Sequence, residues 1–210
     1  MKRKFYKSLV IFCIVGTVNL LAGCVTTIPV SSSISDFVMM GIRTNSQNVV
    51  NLEIISNIQD GEIAVMNENE TGQTGRVILH QGAVLTRMIN DYMAAKFSRM
   101  SDLGDTQITI TLHDFIVRDW TTDGAGMQAL RALSENPRSP RMVSARVTAR
   151  IEIVFADGTE EARNFISNTE EHYIGQFTSE IGNRAFATAV NNANNRLLMQ
   201  MNAFFEEIGL

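Results

Sequence analysis

Apolar and polar residues alternate most regularly between residues 143 and 173. Small or apolar side chains take every second position of residues 143–155, and Arg146 and Arg150 stand between them. Asp157-Gly158 is typical of a tight turn, and residues 159–173 form the returning strand. This pattern predicts an antiparallel hairpin with one buried face and one wet face, which carries both arginines.

Two segments instead have the 3.6-residue period of an amphipathic helix. Residues 80–100 place their apolar side chains on one stripe, and Lys96 falls on the opposite face. Residues 179–207 continue such a stripe, with Ser179 placed to cap the first turn. Several asparagines lie between residues 191 and 195, and because asparagine is a weak helix former, packing must hold this helix.

The first half of the chain carries shorter strand signals. Residues 49–56 and 62–66 are rich in β-forming side chains and flank Asp60-Gly61, which predicts a hairpin. Residues 67–75 have the composition of a mobile loop.

A longer strand is predicted at residues 106–120, where the alternation changes phase near His113-Asp114. Either a bulge or burial on both faces would explain the change. Residues 121–141, which contain two glycines and two prolines, predict an insertion with a short helix at residues 127–135.

These elements predict an α+β fold in a single domain at residues 37–210. We expect a two-layer sandwich, in which a mostly antiparallel sheet carries two amphipathic helices on one face. The other face is left for water or for a partner. We expect Trp120, Arg146 and Arg150 to contribute to such an interface, together with the asparagine-rich side of the last helix.

The chain begins with a basic segment and a short apolar run that ends in Leu21-Ala22-Gly23-Cys24. This order is that of a bacterial lipoprotein signal. It predicts cleavage between Gly23 and Cys24, which removes residues 1–23 and leaves Cys24 as the acylated, palmitate-bearing first residue. A membrane-spanning helix is one alternative, but it needs about 20 apolar residues. An ordinary secretory signal is another, in which Cys24 would be incidental.

Residues 24–36 predict a tether between the acylated cysteine and the domain, because Pro29 and three consecutive serines bury no face. Fully extended, a dozen residues reach roughly 40 Å. The alternative is an edge strand, since Ile28, Val30 and Ile34 are spaced by two or four residues.

Loss of the signal removes four basic residues and no acidic one, which changes the net charge from −4 to −8 and leaves Lys96 as the only lysine. An acidic protein without clustered basic residues is not expected to bind nucleic acid. The two cysteines are Cys13, inside the signal, and Cys24, so the mature chain has no disulfide.

The sequence contains no motif for catalysis, and we expect no catalytic residue, metal or cofactor. The histidines are not spaced as metal ligands. A cleft that gathers at least two of His113, Asp114, Asp119 and His172 would be needed to argue for an enzyme.

The chain resembles the small outer-membrane lipoproteins of the YajG type. The resemblance is carried by Leu21–Cys24, the helix at residues 80–100, the hairpin at Asp157-Gly158 and the last helix. The same layout resembles the LptE-like and ABC-transport auxiliary lipoproteins, which hold partners in the envelope. The resemblance implies a lipid anchor at the periplasmic face of the outer membrane, in agreement with the absence of aspartate after Cys24.

Three functions remain open from the sequence. The first is a lipid-anchored module that binds an unidentified envelope protein, either with an undefined role or as an accessory of a transport or assembly complex. A homo-oligomer through the last helix is compatible with it. The second is a module that binds a lipid or small hydrophobic ligand in a groove between the helices and the sheet. The third, an enzyme, is not what we expect.

Overall fold

The computed structural model describes residues 25–45, 47–123 and 139–210. In these residues the chain is a mixed α+β structure of one seven-stranded sheet and three helices. The strands are β1 (Thr26–Thr27), β2 (Val50–Ser56), β3 (Gly61–Met66), β4 (Gln73–Leu79), β5 (Thr106–Thr121), β6 (Pro140–Val154) and β7 (Glu160–Ile174). The helices are α1 (Asp36–Met40), α2 (Gln81–Lys96) and α3 (Glu180–Glu207).

The sheet is mixed, which corrects the expectation of a mostly antiparallel one. The strand order is β1-β4-β3-β5-β6-β7, and β2 pairs with β5 as well. The pairs β3–β4, β5–β6 and β6–β7 are antiparallel, whereas β1–β4, β2–β5 and β3–β5 are parallel.

The parallel pairs β2–β5 and β3–β5 arise because β2 and β3 do not form the predicted hairpin. They lie one after the other along the same edge of β5, at Val50↔Thr106 and Val65↔Val117, so the chain between them does not reverse direction. Asp60 accepts hydrogen bonds from the backbone N–H of Ala83, at 3.2 and 3.3 Å, and so serves the first turn of α2. Asp60 therefore stabilises the start of α2 and not a hairpin turn. The chain bends at Gly61, where φ is +111°.

The predicted loop at residues 67–75 is shorter than expected. Residues 67–72 form a turn, closed by a hydrogen bond from Asn67 N–H to the Gly72 carbonyl at 2.8 Å, and β4 begins at Gln73. Strand β4 was not predicted from the sequence, because it begins with polar residues and glycine and so shows no hydrophobic pattern at its start.

The predicted bulge in β5 is confirmed. Leu112 pairs with Ala149 and Asp114 pairs with Thr148, so His113 has no partner on β6. The buried positions move accordingly from even to odd numbers, listed here in order: Ile108, Ile110, Leu112, Phe115, Val117 and Asp119. The two ends of the predicted insertion, Thr121 and Arg141, are paired strand residues. Its predicted short helix lies outside the described residues.

The predicted hairpin β6–β7 and the long helix α3 are confirmed. Ser179 Oγ accepts the hydrogen bond of the Gly182 N–H at 3.1 Å, as expected of the cap. Helix α3 packs on β6 and β7, and α2 contacts α3 and β2. The two-layer arrangement as a whole stays a prediction. No helix within the described ranges is both long and apolar enough to cross a bilayer.

Lys96 does not face away from the core as predicted. Its side chain is 1% exposed and forms an ion pair with Glu206 of α3. It lies one helical turn after Tyr92, which is also buried and donates a hydrogen bond to Asn202 Oδ1 at 3.1 Å. Burial, followed by the charge of Glu206, raises the pKa of Tyr92 well above its ordinary value. The last turns of α2 therefore contact α3 through the polar groups of Tyr92 and Lys96.

Residues 25–35, here called the N-terminal strap, lie on the domain. Thr26 pairs with Val77, and the Ile28 side chain is buried. The backbone N–H groups of Ser31 and Ser35 donate to the side-chain oxygens of two residues of α3, Asn191 and Asn195, at 3.1 and 2.8 Å. The described part of the expected tether therefore packs on the domain. This agrees with the alternative that the segment is an edge strand. Cys24 and the cleavage position lie outside the described residues.

The strap contacts predict a local effect of the double substitution Asn191→Ala and Asn195→Ala. Each lost hydrogen bond should cost about 1 kcal/mol of local stability. Hydrogen exchange of the Ser31 and Ser35 amides should therefore accelerate about fivefold relative to that of the α3 core. The control is Asn192→Ala, whose exposed side chain donates to Glu171 instead. Equal exchange in both variants would show that these asparagines do not hold the strap.

Candidate interaction surface

The three predicted interface residues lie on one face of the sheet. Trp120 pairs with Met142 across β5 and β6, and Arg146 and Arg150 follow on alternate positions of β6. All are partly exposed, whereas their sequence neighbours face the core. We call the side of β5, β6 and β7 that carries them the exposed sheet face. Arg150 lies on this face farther from Trp120 than Arg146 does, and its Nη2 forms an ion pair with Glu152 Oε1 at 2.9 Å.

Two further residues complete this surface, and the sequence analysis missed both. Glu70, in the turn between β3 and β4, reaches over the exposed sheet face. Its carboxylate lies 3.0 Å from Arg146 Nη1 and 3.7 Å from Arg118 Nη1. Arg118 could have been predicted, because it stands two residues before Trp120 on the same strand and must therefore lie on the same face. No sequence signal would have located Glu70.

Arg118 is held by several groups besides Glu70. Its Nε donates to Ser144 Oγ at 3.0 Å, and its Nη1 lies 3.4 Å from the backbone carbonyl oxygen of Glu68. The guanidinium carbon lies 5.7 Å from the centre of the Trp120 ring, within the range of a cation–π contact. The orientation of the guanidinium is therefore fixed by β5 and β6 as well as by the turn.

The turn that carries Glu70 is closed by its own hydrogen bonds. Asn67 Oδ1 accepts from the Thr71 N–H at 2.9 Å, in addition to the backbone bond between Asn67 and Gly72. Glu70 itself has a φ of +59°, a left-handed conformation that costs a non-glycine residue about 1 kcal/mol. The side chain of Glu70 is thus presented to the arginines at the cost of some backbone strain.

On the opposite face, directly behind this surface, the buried side chains of Asp119 and Tyr173 contact Arg141, which is half-buried. The Tyr173 hydroxyl donates to Asp119 Oδ1 at 2.7 Å, and Arg141 Nε donates to the same oxygen at 3.2 Å. Burial and the hydrogen bond to Asp119 raise the pKa of Tyr173 well above its ordinary value. Burial acts to lower the pKa of Arg141, but the hydrogen bond and charge of Asp119 outweigh it and raise that pKa. This cluster fixes the ends of β5, β6 and β7 together.

Of the four residues considered for chemistry, the structure brings together two. His113 and Asp114 line an open cleft of about 290 Å³ at the bulge, together with Glu62. Asp119 lies on the buried face, and His172 is exposed on β7 in register with Met142. Neither His113 nor Asp114 has a side-chain hydrogen bond within the described part of the chain. The expectations of no catalysis, no metal and no cofactor stay predictions.

The asparagine-rich side of α3, also expected at an interface, is used within the chain. Asn191 and Asn195 bind the N-terminal strap. Asn194 is fully buried and accepts a hydrogen bond from Gln81 Nε2 of α2 at 2.7 Å. This side of the helix therefore joins three segments of the domain.

No family model and no curated protein matches the chain. Among solved structures it is similar to a Xanthomonas campestris protein of the DUF330 family, with a TM-score of 0.49 and 10% identity over 89% of this chain and 98% of that one. It is also similar to the rare lipoprotein B of Shewanella oneidensis, with a TM-score of 0.43 and 11% identity over 76% and 99%.

A third similar structure is a minor lipoprotein of Acinetobacter baumannii, with a TM-score of 0.38 and 12% identity over 75% of this chain and 92% of that one. At TM-scores below 0.5 these likenesses support no conclusion about the function of this chain. None of them supports the YajG type specifically, and that resemblance stays a prediction.

The buried cluster predicts that Asp119→Asn lowers the free energy of unfolding by about 2–3 kcal/mol, because Arg141 and Tyr173 lose a buried charged acceptor. Urea unfolding followed by the fluorescence of Trp120, the only tryptophan in the sequence, measures this change. Glu152→Gln is the control, since its exposed ion pair with Arg150 should contribute less than about 1 kcal/mol. Equal losses in the two variants would contradict a special role for the buried cluster.

Proposed function

We propose that this chain is a lipid-anchored lipoprotein of the bacterial cell envelope that binds an envelope protein through its exposed sheet face. The single observation that carries the anchor is Leu21-Ala22-Gly23-Cys24 at the end of a basic and then apolar segment. Two or more acyl chains on one cysteine hold a protein stably on a bilayer. We place it at the periplasmic face of the outer membrane, in line with Val25 after the cysteine.

The binding role is supported by the residue types on the exposed sheet face. Tryptophan and arginine are the residues that most often dominate the affinity of protein interfaces. Trp120 and Arg118 contact each other there, and Arg146 lies beside them. Ile166 and Ile174 of β7 add apolar side chains that are 62% and 59% exposed on the same face.

The packing of α3 favours this proposal over a lipid-binding groove. The side chains of Phe186, Val190, Leu197 and Phe204 are at most 1% exposed. Phe204 lies 5.7 Å from Phe165 of β7, centre to centre, so the space between helix and sheet is filled there by aromatic rings. An open surface cleft of about 530 Å³ lies elsewhere, between α2 and the β2–β3 connection, but Asp60, Thr86 and Asn90 are among its lining residues.

The anchor is tested with Cys24→Ser expressed in cells that are supplied with labelled palmitate. The variant should take up no label and should keep the mass of the uncleaved precursor, because both modification and cleavage depend on the thiol. Cys13→Ser, which changes the other cysteine of the signal, should be labelled and processed normally. Labelling and cleavage of Cys24→Ser would refute the proposed anchor.

Partner binding is tested by placing a photoreactive residue at Met142, the neighbour of Trp120 on β6, and crosslinking in intact cells. One dominant adduct with a single envelope protein is expected. The control is a photoreactive residue at Arg87, exposed on α2. Capture of lipid alone from position 142 would favour the ligand-binding alternative, and an identical pattern from both positions would refute a specific interface.

A further inference from the structure

We propose that the exposed sheet face recognises an acidic, extended segment of a partner protein, and that Glu70 occupies this site as an internal substitute that the partner displaces. This inference rests on the proposed function and specifies the partner's chemistry. The observation behind it is that one short turn presents two acceptors to Arg118 and Arg146. They are the carboxylate of Glu70 and the backbone carbonyl of Glu68, two residues earlier.

Arg118 is oriented toward the site by groups other than Glu70, and Arg146 stands beside it on the neighbouring strand. Ser144 and Trp120 orient Arg118 from the sheet. Arg146 stands on the neighbouring strand, in register with Ile116, and its side chain is 30% exposed. Two guanidinium groups that converge on one carboxylate from adjacent strands form a carboxylate site. Strands β5 and β6 set where the two arginines stand, and the turn adds a contact from the Glu68 carbonyl to Arg118.

Glu70 is a ligand that can be displaced. Its side chain is 31% exposed, so its ion pairs are only partly shielded from water. Its left-handed backbone is strained, and the turn is closed by hydrogen bonds of Asn67 and of the backbone, none of which uses the Glu70 side chain. Release of the Glu70 side chain would therefore leave the turn folded and the two arginines accessible. A partner segment that places a glutamate between them would restore the ion pairs of the Glu70 carboxylate.

Peptide rather than membrane is the occupant that these contacts favour. The carbonyl contact from Glu68 to Arg118 has a counterpart in a peptide backbone. The same sheet face carries Glu152 and Glu170, and the mature chain has a net charge of −8. These charges oppose a broad anionic lipid surface more than a short segment, which brings few carboxylates and places one of them between two arginines.

The probe is an acetylated tetraglutamate peptide, titrated at low salt into the lipidated protein purified in a non-ionic detergent. Trp120 is the reporter, because it contacts Arg118 and is the only tryptophan. The variant is Glu70→Gly, since glycine adopts a φ of +59° without strain and removes the internal carboxylate. We expect this variant to bind the peptide at least tenfold more tightly than the unaltered chain.

Two further variants make the test specific. Arg146→Ala in the Glu70→Gly background should lose the tightened binding. Glu62→Gly removes the acidic partner of Arg76 from an exposed ion pair outside the site, and should leave peptide binding unchanged. The inference is overturned if Glu70→Gly binds no more tightly, if Arg146→Ala has no effect, or if Glu62→Gly acts like Glu70→Gly. It is also overturned if vesicles with 20 mol% phosphatidylglycerol change the emission of Trp120 while the peptide does not.

The outcome separates this inference from the function on which it rests. If Cys24 is acylated and position 142 captures one partner, but Glu70→Gly binds the peptide no more tightly, the inference fails and the proposed function stands. If Cys24→Ser is still labelled and cleaved while the peptide binds as expected, the proposed anchor fails and the carboxylate site stands.

Discussion

The structure depends on strand β5, which keeps a buried face along sixteen residues although its alternation changes phase at His113. A strand without a bulge would turn Phe115 and Val117 toward water, because side chains alternate with a period of two. The extra residue restores them to the core. It also determines the far end of the strand, where Asp119 faces the core and Arg118 and Trp120 face outward. The bulge at His113 thus positions both the Asp119 cluster on the buried face and the candidate interface on the exposed sheet face.

The polar residues of α3 show how a helix with few strong helix formers is held in place. Asn191 and Asn195 bind Ser31 and Ser35 of the strap, and Asn194 binds Gln81 of α2. Side-chain amides suit this role because their oxygens accept from backbone or side-chain N–H groups in places where no strand ladder can reach. The helix is therefore stabilised by tertiary contacts on its polar side as well as by the apolar stripe that packs on β6 and β7.

The sequence predicts those parts of the fold that are set by local periodicity. The β6–β7 hairpin, the cap at Ser179 and the bulge near His113 follow from alternation and spacing, and Arg146 and Arg150 share a face as expected. That Trp120 lies on the same face was not predicted. Long-range choices are not encoded locally. Nothing near Asp60 indicates that it serves helix α2 instead of a hairpin, and burial of Lys96 depends on Glu206, 110 residues away. Glu70 was missed because its role needs two distant arginines.

The docked strap has a geometric consequence for a lipid-anchored protein. Thr26 is already part of the sheet, so only Val25 separates it from the acylated Cys24 of our proposal. Two residues span at most about 7 Å, whereas the same chain released as far as Ser35 would span roughly 40 Å. A domain held in this way lies close against the bilayer with its β1 edge toward the lipid. Binding or release of the strap would then decide how far from the bilayer such an anchored domain could reach.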